Sequence, residues 1–153
     1  MANSYSSLFV HMIFVVKYRQ ALIQEKWEAS LFKYINTLTS DIGGKLIEIN
    51  GIQDHIHMMI RINPDKSVSE YARHLKANSS RWINENKFCR GRFRWQSGYA
   101  AFTVSPRNTD IVQNYIAQQK HHHRKRNFQK EYRKTLEDSS IEYDERYLFH
   151  PPE

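Results

Sequence analysis

The chain has 153 residues, enough for one ordinary domain and too few for two independent cores. At 40% hydrophobic and 25% charged residues, the composition excludes wholesale disorder and collagen-like or repeat architectures. The formal net charge of +7 is unevenly placed: residues 76–107 hold seven basic side chains against Glu85 alone, and residues 120–134 hold seven more against Glu131. Such segments on an otherwise acidic body point to a polyanionic partner, although a solvated basic face would give the same arithmetic.

The opening MANSYSSLFVHMIFVVKYR has no basic residue before its apolar run and no small-residue cleavage site after it. Residues 8–16 therefore read as a buried strand rather than a secretory signal, and no run approaches the roughly 18 apolar residues of a membrane helix. From Gln24 to Asp41, apolar residues at Trp27, Leu31, Tyr34, Ile35 and Leu38 recur at helical spacing, and Gly43-Gly44 supplies the stop. Residues 46–52 (LIEINGI) and 55–62 (HIHMMIRI) are strand-like runs joined through Gln53-Asp54, which predicts a hairpin. Ser67 followed by Glu70 is a capping box opening a helix through Tyr71, Leu75 and Trp82. Residues 92–105 (RFRWQSGYAAFTVS) read as extended, with a bend at Gly98, until Pro106 ends them. Asn108 or Thr109 then caps a long helix carrying Ile111, Val112, Tyr115 and Ile116. The tail, 128–149, reads as a polar helix followed by an aromatic coil.

The order β-α-β-β-α-β-α is that of the split βαβ, ferredoxin-like arrangement. The expected architecture is α+β: an antiparallel sheet with helices on one face, plus a C-terminal helix carrying Tyr115. With no repeat or Gly/Ser linker, residues 1–153 are expected to form a single domain. Its core and tyrosine helix would lie in 1–127 and a basic, aromatic tail in 128–153. A lone Cys89 can make neither an internal disulfide nor a cysteine-based zinc site, and an intracellular, reducing compartment fits.

Two features bear on chemistry. His55 and His57 flank Ile56 in an apolar strand, so both imidazoles project from one face while Ile56, Met58 and Ile60 line the other. Imidazoles at i and i+2 can approach one cation, but such a pair serves equally as hydrogen-bonded structural groups. Tyr115 and Gln119 stand four apart on the last helix and share a face. A tyrosine can act as a covalent nucleophile, and a glutamine carbonyl suits Mg²⁺ or Mn²⁺. A helix tyrosine packing on the sheet fits the same spacing.

The DHIHMMI run, then VSEYARHLKANSSRWI, FRWQSGYAAFTVS, NYIAQQKHHHRKRNF and the ending IEYDERYLF together resemble the single-tyrosine HUH transposases, the IS200-like insertion-sequence family with its REP-associated relatives. The resemblance runs in order from about Leu8 to Phe149. It implies that His55, His57 and Gln119 bind a divalent metal, Mg²⁺ or Mn²⁺, and that Tyr115 is the nucleophile. It further implies a homodimer that cleaves and rejoins single-stranded DNA bearing hairpin ends through a 5′-phosphotyrosine. No nucleotide cofactor or membrane is expected, and the place of action is the bacterial or archaeal cytoplasm, at the nucleoid.

The basic segments supply candidate nucleic-acid contacts: Lys76, Arg81, Arg90, Arg92, Arg94, Lys120, Arg124, Lys125 and Arg126. Alternation puts Arg92 and Arg94 on one face and Phe93 and Trp95 on the other, so those aromatics serve either for base stacking or for the core. His121, His122 and His123 spread around a helix and cannot all converge on one ion. His11, His74 and His150 read as structural. Two other readings remain: a non-catalytic single-strand-binding module of the RRM type, and a domesticated nickase of chromosomal repeats. The first leaves His55, His57, Tyr115 and Gln119 without a purpose; the second shares the chemistry.

Overall fold

The structure, a computed structural model, describes residues 4–122, 128–138 and 141. Four strands, β1 (Phe9–Val15), β2 (Lys45–Ile52), β3 (His55–Arg61) and β4 (Ala100–Val104), form one sheet in the order β2-β3-β1-β4. Every neighbouring pair is antiparallel. With α1 (Glu25–Asp41) and α2 (Val68–Glu85) as crossovers, this is the expected ferredoxin-like arrangement. Three further helices follow: α3 (Thr109–Ala117), α4 (Gln119–His122) and α5 (Phe128–Asp138).

β1 and β3 occupy the centre and are covered on both faces, which is why their sequences run almost continuously apolar. Met12, Phe14, Ile56, Met58 and Ile60 point to α1 and α2 and meet Trp27, Leu31, Ile35, Leu38, Tyr71, Leu75 and Ile83 in the main core. Each large side chain fully buried there contributes roughly 1.5–3 kcal/mol relative to exposure. His11, Ile13 and Val15 share the opposite face with His55, His57 and Met59. On that face Ile116 and Val112 of α3 pack with Met59 and Val104, while Tyr132 and Leu136 of α5 pack with Ile13, Val15 and Ala100. The two crossover helices thus form the single layer expected of them, and the C-terminal helices cover the other side.

Local chemistry sets the boundaries. Ser67 Oγ accepts from Glu70 N (3.1 Å) and the Glu70 carboxylate accepts from Ser67 N (3.3 Å), completing the capping box. Gly43, at φ 81°, turns the chain out of α1. In β2 a bulge falls between Leu46 and Glu48. Leu46 and Ile49 consequently both face the core, whereas Glu48 and Asn50 pair with Met59 and His57 on the other face. Uninterrupted pairing would have turned Glu48 into the core.

Two stretches differ from the sequence reading. The extended run 92–105 contains a regular strand only over Ala100–Val104. Upstream, Trp95 bridges Val16, Gln96 N donates to Val15 O, and Gly98 (φ 81°) bends the chain before β4 begins. The long C-terminal helix is also broken at Gln118 (φ −96°, ψ 14°). The cause is a tertiary hydrogen bond: Asn50 Nδ2 donates to Ala117 O (3.0 Å), and His121 N turns instead to Gln118 O (2.9 Å).

Candidate metal centre and tyrosine site

Strand alternation brings His55 and His57 to the face beneath α3 and α5, with ring centroids 5.1 Å apart and both side chains buried. Their Nδ1 atoms are each engaged. His55 Nδ1 lies 2.7 Å from Asp54 Oδ1, so the aspartate fixes the proton on Nδ1 and leaves Nε2 as the lone-pair atom. His57 Nδ1 lies 2.9 Å from Nε2 of His11, one strand away. If His57 is to present Nε2 to an ion, its single ring proton must sit on Nδ1 and be donated to a neutral His11. Burial keeps His11 in that state by lowering its pKa to about 4. The His55 pKa is also lowered by burial, against the opposing pull of its hydrogen bond to Asp54, the Asp54 charge and a hydrogen bond to the Gln119 side chain. Both changes favour the neutral imidazole that metal ligation requires.

α3 and α4 bring the remaining groups. Tyr115 is half-buried, its ring edge-on to His57 (5.9 Å between centroids) and to His11 (6.2 Å). Gln119 is fully buried, its Nε2 donating to Tyr115 O (3.4 Å). The pair therefore stays one turn apart on one face despite the break at Gln118. Four tethers hold this unit against the rest of the fold. Gln113 Nε2 donates to Glu48 Oε1 (3.3 Å), and Asn50 Nδ2 donates to Ala117 O. Lys120 Nζ donates to Asn50 Oδ1 (2.8 Å) and pairs with Glu28 (2.8 Å). The bulge in β2 is what makes Glu48 and Asn50 available for these bonds.

From α5, Glu131 is buried, with Oε1 3.9 Å from His57 Nε2. Burial pushes its carboxyl up to about 7. Among the described residues no three His, Cys, Asp or Glu side chains converge tightly enough to hold an ion by themselves. Two oriented imidazoles, an amide and a nearby carboxylate make a mixed nitrogen and oxygen donor set, which fits a divalent cation such as Mn²⁺ or Mg²⁺.

The basic residues are arranged differently. Arg81, Arg90, Arg92 and Arg94 are exposed, whereas Phe93 and Trp95 enter the core. Arg81, Arg92 and Arg94 line a groove of about 780 Å³ along α2. Asn84 fixes this segment through both its amide atoms, donating to Phe93 O (3.0 Å) and accepting from Phe93 N (2.7 Å). Lys76 is half-buried and donates to Gln96 O and Gly98 O, and Lys120 makes the contacts given above. Arg124, Lys125, Arg126 and His123, the side chain of His122, and the aromatic tail beyond Ile141 lie outside the described residues.

Sequence reasoning paired His55 with His57 and Tyr115 with Gln119, and the fold brings all four together. It read His11 as structural and gave Asp54 and Glu131 no part in the site. Asp54 had a signal, since a turn aspartate beside a strand histidine is within hydrogen-bond reach. Only strand register reveals His11, and only the docking of α5 reveals Glu131.

Residues 4–119 match the Y1 transposase family, described as "Transposase IS200 like". The transposase for insertion sequence element IS200 of Salmonella typhimurium is 32% identical over 114 residues, spanning 71% of this chain and 74% of its own length. The ISDra2 transposase TnpA of Deinococcus radiodurans is 24% identical over 115 residues, spanning 71% and 81%. Among solved structures, a Deinococcus radiodurans R1 protein described as a transposase superposes with a TM-score of 0.63 at 21% identity, covering 78% of this chain and 95% of that one. A REP-associated tyrosine transposase bound to a REP hairpin superposes with a TM-score of 0.58 at 12% identity, covering 77% and 70%. Among the described residues no helix is long and apolar enough to cross a membrane. By its sequence and its fold, the chain belongs to the IS200-like transposase family.

Proposed function

We propose that this transposase cleaves and rejoins single-stranded DNA through Tyr115, with a divalent cation, Mg²⁺ or Mn²⁺, held by His55, His57 and Gln119. The observation that carries the reading is convergence. Two histidines whose Nδ1 atoms are both engaged, a buried glutamine bonded to the backbone one turn before it, and a tyrosine edge-on to His57 meet on one sheet face.

In this mechanism the Tyr115 phenol oxygen attacks a phosphodiester phosphorus, forming a phosphotyrosine bond to the 5′ side of the break. The bond to the 3′ oxygen breaks, and that oxygen leaves with a proton as a free 3′-OH. A 3′-OH from another strand then attacks the phosphotyrosine, restoring a phosphodiester and the tyrosine without ATP, because the covalent intermediate conserves the bond. A bound cation would supply Lewis-acid stabilisation of the charge that develops on the phosphate oxygens. Asp54 and His11 orient the two imidazoles, and the tethers from β2 fix the position of Tyr115 over them.

The exposed Arg81, Arg90, Arg92 and Arg94 would hold backbone phosphates of a hairpin-bearing strand, as would Arg124, Lys125 and Arg126. The REP-hairpin complex of the structural relative supports a hairpin as the kind of DNA bound. A homodimer acting on nucleoid DNA in the cytoplasm completes the reading. Its test is incubation with labelled single-stranded DNA carrying the element's own hairpin ends, in Mg²⁺, Mn²⁺ or EDTA, beside Tyr115→Phe. A denaturant-resistant protein–DNA adduct that needs metal and Tyr115 is expected. Tight binding of the cognate strand with no adduct in any metal would overturn it.

A further inference from the structure

The proposed centre has a neighbour that neither the pattern of histidines nor the tyrosine helix accounts for. α5 is seated beside it by Tyr132 and Leu136, which pack on Ile13 and Val15, the cross-strand partners of His57 and His55. This docking turns Glu131 inward, where it is only 6% exposed. Its Oε1 lies 3.9 Å from His57 Nε2, which is too long for a hydrogen bond. Ligand bonds of about 2.1 Å place two donors on one ion roughly 3 Å apart when adjacent and roughly 4.2 Å when opposite, and the observed separation lies within that range.

We propose that Glu131 is a further protein ligand of the divalent centre, so that cation binding draws α5 onto the site. The inference rests on the metal reading above and deepens it. Since Glu131 does not converge with both histidines in the structure, ligation requires α5 to close inward, and the helix becomes a cover whose docking is linked to metal occupancy. The carboxylate would add a hard oxygen donor and one negative charge to a set of two imidazoles and an amide. That favours Mn²⁺ and Mg²⁺ over softer ions.

The test uses the full chain without DNA. Mn²⁺ is titrated by electron paramagnetic resonance into the wild-type protein, Glu131→Gln and His57→Ala, with circular dichroism as the check of folding. The wild type is expected to bind Mn²⁺, His57→Ala to lose binding, and Glu131→Gln to bind at least about tenfold more weakly. Wild-type affinity in a folded Glu131→Gln would overturn the inference and leave the metal reading standing. Absence of Mn²⁺ and Mg²⁺ binding by the wild type would overturn both. Hydrogen exchange of residues 128–138 in the wild type, with and without Mn²⁺, keeps the test open should the variant fail to fold. Slower exchange with Mn²⁺ is expected, and unchanged exchange would refute the linkage.

Discussion

Asn50 is the position where a single side chain sets the register between the tyrosine helix and the histidine strand, and Asn50→Ala tests that link. Its Nδ2 donates to Ala117 O, while its Oδ1 accepts from Lys120 Nζ and from Gly51 N. A neutral hydrogen bond contributes about 0.5–1.5 kcal/mol net, and one to a charged group about 1.5–3 kcal/mol. Lys120 keeps Glu28 and the Gly51 carbonyl as partners and is partly exposed, so its share belongs at the low end. Asn50→Ala should therefore cost about 2–3 kcal/mol in urea unfolding followed by tryptophan fluorescence. Asn50→Asp keeps both acceptor interactions but turns a carboxylate oxygen toward the Ala117 carbonyl in place of the donor, so it should cost at least about 1 kcal/mol. Releasing Ala117 also unties the tyrosine helix from β2 and removes the bond that breaks it at Gln118, and displacement of a reacting group by about 1 Å can cost on the order of a hundredfold in rate. Single-turnover adduct formation should accordingly fall by at least tenfold in both variants, while Mn²⁺ affinity changes much less. Asn50→Ala with a stability within about 0.5 kcal/mol of wild type and an unchanged adduct rate would refute the reasoning.

Three other perturbations probe separate parts of the structure. A Cβ at Gly51 would stand 2.3 Å from the His55 carbonyl oxygen and 2.8 Å from Ile56 Cα, so Gly51→Ala should push β2 from β3 at the metal-facing residue. It is expected to cost about 3 kcal/mol and to weaken Mn²⁺ binding, measured by unfolding and by titration. In EDTA, His11 should give the protein an acid-side weakness. The unfolded state takes up its proton near pH 6.5 and the folded state only near 4, so its stability contribution is present above 6.5 and is lost as pH falls to 4. The difference amounts to about 3 kcal/mol at most. Glu131, raised to about 7, works in the opposite sense as pH rises, so the informative quantity is the difference between wild type and His11→Gln. That variant should lose less stability between pH 7 and 4.5, and parallel curves would contradict the assignment. Asn84→Ala removes both bonds to Phe93 and should loosen the arginine segment. Weaker single-strand binding with unchanged Mn²⁺ affinity is expected in parallel titrations.

The parts of the fold that were legible are those whose signals are local. The apolar period of Trp27, Leu31, Ile35 and Leu38 gave α1, the Ser67–Glu70 capping box gave the start of α2, and the alternation at His55 and His57 correctly set two imidazoles on one face. What was hidden came from contacts between distant residues. Nothing in LIEINGI announces that one residue bulges out and turns Glu48 and Asn50 toward α3, because the run satisfies either register equally well. The break at Gln118 falls in a sequence with good helix formers and arises from a hydrogen bond between Ala117 and Asn50, 67 residues apart. The run from Arg92 to Ser105 has strand composition throughout, yet Gly98 and the carbonyls taken by Lys76 leave only its second half in the sheet. The nearness of His11 and Glu131 to the histidine pair was hidden for the same reason. Each looks ordinary in its own element and meets the histidine pair only once the sheet has formed and α5 has docked.

The central claim is that Tyr115 becomes covalently joined to DNA. The adduct formed by the wild-type protein on its cognate single strand can be digested with nuclease and then with trypsin, and the peptides weighed by mass spectrometry. The peptide spanning residues 108–120, which carries Tyr115, should gain the mass of a 5′-phosphorylated nucleotide remnant, and fragmentation should assign it to that tyrosine. A remnant on any other residue, such as Tyr132 beside the same site, would contradict the account. So would strand cleavage that proceeds with peptide 108–120 unmodified at every time sampled.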